Sequence, residues 1–162
     1  MAKNQDEDVL ATETEDTGSE PRIYELGFHL DPELPTEEVK KAYQAIREHI
    51  AGAGAIVAEV EPEKIQLAYT ISRQEVAGRR DFNSAYFAWI VYETDAVKHA
   101  EIIAAANANK SVVRFIDLIT TKDVARHALE VHELMAKVPE QEASADEVLN
   151  TELDAALEGA AV

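Results

Sequence analysis

The sequence predicts an α+β fold, an antiparallel sheet with two helices on one face. Three observations predict it. Ile23–Leu30 and Gln66–Ile71 alternate apolar and polar residues with the period of two that a half-buried strand requires. Val39, Ala42, Tyr43, Ile46, His49 and Ile50, and later Val97 to Ala106, recur at helical spacing. The elements fall in the order β-α-β, β-α-β, two copies of a unit that needs a right-handed crossover.

The elements follow in chain order. On the first strand Tyr24, Leu26, Phe28 and Leu30 share one face, and Glu25, Gly27 and His29 the other. Asp31-Pro32 and Leu34-Pro35 end it, because proline pushes the residue before it out of helical space. Thr36 is expected to cap the first helix, with Glu37 and Glu38 in its first turn. Gly52-Ala53-Gly54 closes that helix by way of a left-handed glycine. Ala55–Val60 is a strand, Glu61-Pro62-Glu63 a bend or bulge, and Ile65–Ser72 its continuation. Arg73–Asn83 reads as a long hairpin tip and Ala85–Glu93 as the returning strand. Thr94-Asp95 caps a second helix, and Ser111–Thr120 is the last strand. This is the split β-α-β, ferredoxin-like sandwich, with strand order 4-1-3-2.

Three segments follow: 1–21, an acidic disordered tail; 22–121, the sandwich; and 122–162, an acidic, partly helical extension. In the last, Val124, Ala128, Val131, Met135 and Val138 form a narrow apolar stripe. Pro139 ends that helix, and Ser144-Ala145-Asp146-Glu147 has capping-box form before Val148, Leu149, Leu153 and Leu157. The net charge of −17 is uneven: residues 1–21 carry −6 and residues 123–162 carry −8, leaving −3 for residues 22–122. The overall acidity therefore says little about what the sandwich binds.

Several chemistries are excluded. The chain has no cysteine, so disulfides, thiolate metal sites and cysteine nucleophiles are out. No apolar run approaches the ~18 residues of a membrane helix. The N-terminal residues resemble neither a secretory signal nor an arginine-rich transit peptide, which points to the cytosol. No glycine loop opens a helix to cradle phosphate. His127 and His132 miss the i, i+4 spacing of a helical metal pair. The first β-α loop, Asp31 to Pro35, is acidic and lacks the arginine that ferredoxin-like acylphosphatases need. The reading is a non-enzyme without metal or cofactor.

Four stretches in register carry a resemblance. Arg22-Ile23-Tyr24-Glu25-Leu26 is similar to an R-x-Y-E start, and Gln66 to Ser72 to an L-A-Y-x-I signature. Ala85-Tyr86-Phe87-Ala88-Trp89 with Glu93 resembles a third strand of the same family, and Val113-Arg114-Phe115 the entry to its fourth. The family is bacterial small-subunit ribosomal protein S6, and the resemblance spans residues 22–121. In two places the chain departs from it. Glu63 and Ile65 stand where the family has glycine and a basic residue, with Lys64 between them. Thr70 replaces the usual proline.

The resemblance implies a protein of the cytoplasmic ribosome, in the platform of the small subunit. It would bind the central domain of 16S rRNA together with ribosomal protein S18, without catalysis and without a small-molecule substrate. Its rRNA-binding residues would be Arg22, Tyr24, Lys64, Gln66, Arg73, Arg79, Arg80, Arg114 and Lys122. Cations near strand ends reach phosphates without reading sequence; Arg79 and Arg80, next to Asp81, read equally as solubilising charges, whereas Arg22 and Arg114 match family positions and favour RNA. The reading expects Arg22 and Arg114 to border one edge of the sheet.

Sheet parity adds a partner surface. With Tyr24, Leu26, Phe28, Ala88, Ile90 and Tyr92 facing the helices, Phe87, Trp89 and Val91 face away. The charge of Asp117 suggests that Phe115 and Asp117 also point outward, with Ile116 and Leu118 inward. Phe87, Trp89 and Phe115 would then form an aromatic patch that docks the S18 partner or RNA, or lies under the Val124–Val138 helix. The alternative from another class is a ferredoxin-like regulatory domain that holds a small molecule, with Gly52-Ala53-Gly54 as ligand loop.

Overall fold

The computed structural model describes residues 20–138. Nearly all of the expected acidic tail, and the expected helix after Ser144, lie outside the described residues. In order, the elements are β1 (Arg22–Leu30), α1 (Thr36–Ala53), β2 (Ala55–Glu75), β3 (Gly78–Thr94), α2 (Ala96–Ala108), β4 (Val112–Thr120) and α3 (Lys122–Lys137). The four strands form one antiparallel sheet of order β2-β3-β1-β4, the predicted topology. One compact unit ends at Thr120 and a second begins at Thr121.

The first unit is built on the predicted parity. Tyr24, Leu26, Phe28 and Leu30 of β1 and Ala88, Ile90 and Tyr92 of β3 share a core with Val39, Tyr43, Ile46 and Ile50 of α1 and Ile102 and Ala106 of α2. Full burial of one large apolar side chain stabilises by about 1.5–3 kcal/mol, against about 0–1 kcal/mol for an exposed ion pair. The apolar faces therefore decide the fold.

On β4 the expected parity is reversed. Register pairs Phe28 with Phe115, Leu26 with Asp117 and Gly27 with Ile116. Phe115 thus packs against the core on the helix side, and Ile116 and Leu118 face away. Asp117 turns inward because His99 of α2 meets it there, Nε2 to Oδ2 at 2.9 Å. The charge of Asp117 is satisfied on the helix side and does not mark an outward face. Trp89, between Gly27 of β1 and Val60 of β2, is buried on the central strand, as is Val91. The open aromatic patch of Phe87, Trp89 and Phe115 is therefore not formed.

Other local readings change as well. Pro35 takes the N-cap position of α1 and Thr36 is its first helical residue. Gly54 ends α1 with an extended backbone, not a left-handed one. Glycine is needed there for close approach: a Cβ would collide with the Glu93 carbonyl and stand 2.9 Å from Thr94 Cβ. Nearby, the Thr94 hydroxyl donates to the Ala53 carbonyl at 2.8 Å. The supposed hairpin tip is strand as well. β2 and β3 stay paired as far as Glu75 and Gly78, around a turn at Val76-Ala77, with Gly78 at φ 124°. Pairing shifts register between Val60 and Glu63, at the predicted Pro62 interruption, and again at Ile56/Ala58 and Gln66/Ile71.

In the second unit, α3 is capped by Thr121, whose side chain accepts from the Val124 amide at 3.4 Å. Val124, Val131, Leu134, Met135 and Val138 are exposed along it.

Gly54→Ala forces the end of α1 away from β3. Overpacking of this kind costs about 1–3 kcal/mol, so a lower urea midpoint with an unchanged m-value is expected.

Candidate nucleic-acid interface

The β2–β3 hairpin outruns the strands beside it, and its far half reaches the end of the sheet where β1 stops and β4 begins. The attachment is ionic and aromatic. Asp31, just after β1 and only 9% exposed, receives a two-pronged hydrogen bond from Arg80, Nη1 to Oδ2 at 2.6 Å and Nη2 to Oδ1 at 2.8 Å. Such paired contacts fix angle as well as distance. Arg80 also meets Glu33 at 2.5 Å. Burial alone would raise the Asp31 carboxyl; the hydrogen bonds from Arg80 and the Glu33 amide outweigh it and hold Asp31 below the usual carboxylate range. Buried Phe82 lies under both Arg80 and Arg73, with guanidinium carbons 4.5 and 5.5 Å from the ring centroid. Arg73 donates to the Val112 carbonyl at 2.9 Å and pairs with Glu75.

Next to this anchor stands a different cluster. Arg114 of β4 lies over the Tyr69 ring, 5.3 Å from its centroid, and donates to the Tyr69 hydroxyl at 2.6 Å. Its Nε donates to His29 Nδ1 at 3.2 Å. Burial first, and the Arg114 charge second, hold the His29 imidazole below its ordinary pKa. It therefore stays neutral and can accept. His29 tilts against Phe87 at 5.4 Å between centroids. Phe87 and Ile116 in turn lean over Gly27, which leaves them room. Tyr69 is 63% exposed. The result is an exposed arginine on an exposed aromatic ring, hydrogen-bonded to a tyrosine and a neutral histidine.

The predicted site residues divide accordingly. Arg73, Arg79, Arg80 and Arg114 share this end of the sheet. Arg73 and Arg80 are engaged by carboxylates, and Arg79 by Asp81 and the Ser72 hydroxyl. Arg22, at the other end of β1, is seven residues from His29, the register partner of Arg114. At about 3.3 Å per residue that is roughly 23 Å. The two arginines do not border one edge, because β1 carries them at opposite ends. Tyr24 leaves the surface: it is buried on the helix side and stacked on His99 at 3.6 Å. Lys64 sits over Tyr86, Nζ 5.7 Å from the centroid, and Gln66 pairs with Ser84. Lys122 begins α3 in the second unit.

Tyr69 and His29 were not among the expected contacts. Tyr69 read as the buried side of a strand, and the signal that could have exposed it was the polar, charged run after it. Among the described residues no group of three or more His, Asp or Glu could hold a metal ion, and no helix is long and apolar enough to cross a membrane. Gly52 lies inside α1 and Gly54 packs against β3, so the stretch that the regulatory-domain alternative takes as a ligand loop is the end of a helix.

The family model for ribosomal protein S6 matches residues 23–118. The chain belongs to the ribosomal protein S6 family. It is a small-subunit ribosomal protein, and that family is structural, not enzymatic. Its place is the cytoplasmic ribosome. Among solved structures, 30S ribosomal protein S6 from Thermotoga maritima is similar at 21% identity with a TM-score of 0.52, over 73% of this chain and 99% of that one. At that identity the likeness shows the fold. No curated protein matches.

Two outcomes follow for the anchor. Arg80→Ala leaves a nearly buried carboxylate without its partner and costs about 2–3 kcal/mol, between the limits for exposed and buried pairs, read as a lower urea midpoint. Asp31 also sets a pH dependence. Its folded pKa is depressed, so the unfolded chain binds the proton more tightly. The stability it contributes is full above its ordinary value of about 3.9 and is lost as pH falls through the folded value. Urea midpoints of Asp31→Asn fall less between pH 5 and 3 than those of the unaltered chain.

Proposed function

We propose that this chain binds the central domain of 16S rRNA in the small-subunit platform, in company with ribosomal protein S18, and that the Arg114–Tyr69–His29 cluster makes its principal RNA contact. The observation that carries the reading is Arg114, a cation with neutral hydrogen-bond partners lying on an exposed aromatic ring. Such a pair offers a phosphate a guanidinium and an unpaired base a stacking face. Carboxylates already engage Arg73, Arg79 and Arg80, so those three contribute less. Membership of the ribosomal protein S6 family supports the same reading. Arg22 supplies a second, separate phosphate contact at the far end of β1.

Binding of a central-domain rRNA fragment at low and moderate salt tests this. Arg114→Ala is expected to weaken binding about tenfold and make the salt slope shallower by about one unit. Arg22→Ala acts additively, because the sites are well beyond the ~7–10 Å at which effects couple. Unchanged affinity for Arg114→Ala and for Tyr69→Ala removes the cluster from the interface. A chain that stays in the supernatant when small subunits sediment at moderate salt removes the RNA reading itself.

A further inference from the structure

The two edges of the sheet are built differently. At one edge β2 shifts register three times against β3, carries Pro62, and bears Glu59, Glu61, Glu63 and Lys64. Bulges, proline and charge are the features that keep an edge strand from pairing with another chain. At the other edge, among the described residues, β4 pairs only with β1 and keeps an unbroken register from Arg114 to Thr120. Its sequence, VVRFIDLIT, holds no proline and no lysine. Its two charges are turned to other work, Asp117 to His99 and Arg114 to Tyr69 and His29. What remains outward is apolar: Ile116 is 56% exposed, Leu118 47% and Ile119 68%.

We propose that the open edge of β4 takes an extended segment of a basic partner protein as a fifth strand. Main-chain hydrogen bonds supply the affinity of such an added strand, and alternate side chains its specificity. Ile116 and Leu118 on one face and Ile119 on the other call for apolar residues at matching positions of the incoming strand.

Charge selects the class of partner. Three residues after β4 the chain enters residues 123–162, with a net charge of −8. A strand flanked by lysine or arginine is drawn to that field. RNA, met at the Arg114 end of the strand, finds no use for a row of exposed isoleucine and leucine. A second copy of the chain would bring −17 against −17. In the self-pairing that sets Ile116 opposite Ile116, Asp117 would lie opposite Phe115. The inference rests on the partner reading above, so S18 is the protein to test.

The test uses the full chain with purified S18 and hydrogen exchange. On binding, amides within Val112–Thr120 are expected to exchange at least tenfold more slowly. Ile116→Lys and Leu118→Lys, at exposed positions, are expected to keep the melting temperature, keep rRNA-fragment binding, and weaken S18 binding at least tenfold. S18 binding with β4 amides unprotected and both variants unaffected overturns this inference and leaves the partner reading standing. Absence of S18 binding by the unaltered chain overturns both. Protection of the amides from Ile116 to Thr120, beyond the Arg114 contact, by the rRNA fragment alone overturns the assignment of this edge to a protein.

Discussion

The Asp31–Arg80 ion pair holds the part of the molecule on which the candidate site depends. The rest of the sheet is secured by helices; in the far half of the β2–β3 hairpin Phe82 is the buried apolar anchor, and Arg80 and Arg73 lie against it. Desolvating a charge costs several kcal/mol, and an apolar pair of similar shape can stabilise as much. The fork adds direction. Two parallel hydrogen bonds to one carboxylate fix where β3 crosses the end of β1, and so where the partner strand β2 brings Tyr69. Arg114 comes from β4, with two strands between it and β2 in the sheet. The two meet because the hairpin is fastened across that end.

This anchoring limits how the protein can bind nucleic acid. Of the four arginines gathered at this end, three are engaged by carboxylates. A phosphate that takes any of them must compete with an existing partner, so Arg114 is the cation most available. The contribution of each phosphate contact falls as salt rises, because counterion release then yields less. A domain of charge −3 with so few such contacts, followed by forty residues of charge −8, gains little from RNA alone. Association with a basic protein, which supplies phosphate contacts of its own, is a physically sufficient remedy.

Most of the fold was legible because period and register reinforce each other. The alternation at Tyr24, Leu26 and Phe28, and the helical spacing from Val39 to Ile50, each demand a buried face, and one arrangement of a doubled β-α-β unit buries them all. The hairpin was less legible. Arg73–Asn83 is polar and Gly-containing, which reads as loop, yet cross-strand pairs such as Ser72 with Asp81 at 2.5 Å continue the strands. Polar strands that stand clear of the core lack the apolar alternation by which strands are recognised. The site followed the same rule. Arg114 was found from its place in a motif, while Tyr69 and His29 were missed because their roles arise from contacts 45 and 85 residues away in sequence.

The parity of β4 was misread for an instructive reason. A charged residue on a strand is expected to face away from the helices, and Asp117 does not. His99 reaches it from α2, with its other ring nitrogen 3.0 Å from the Tyr92 hydroxyl and its ring stacked on Tyr24. One neutral tautomer satisfies both contacts, Nε2 donating to the carboxylate and Nδ1 accepting from the hydroxyl. That network holds the strand's carboxylate on the helix side, and strict alternation then turns Ile116 and Leu118 outward. A contact that joins α2 to the sheet thus also leaves Arg114, at the start of β4, as the one charge on the strand's outer face. The same parity accounts for a stable core and for an edge left ready to pair.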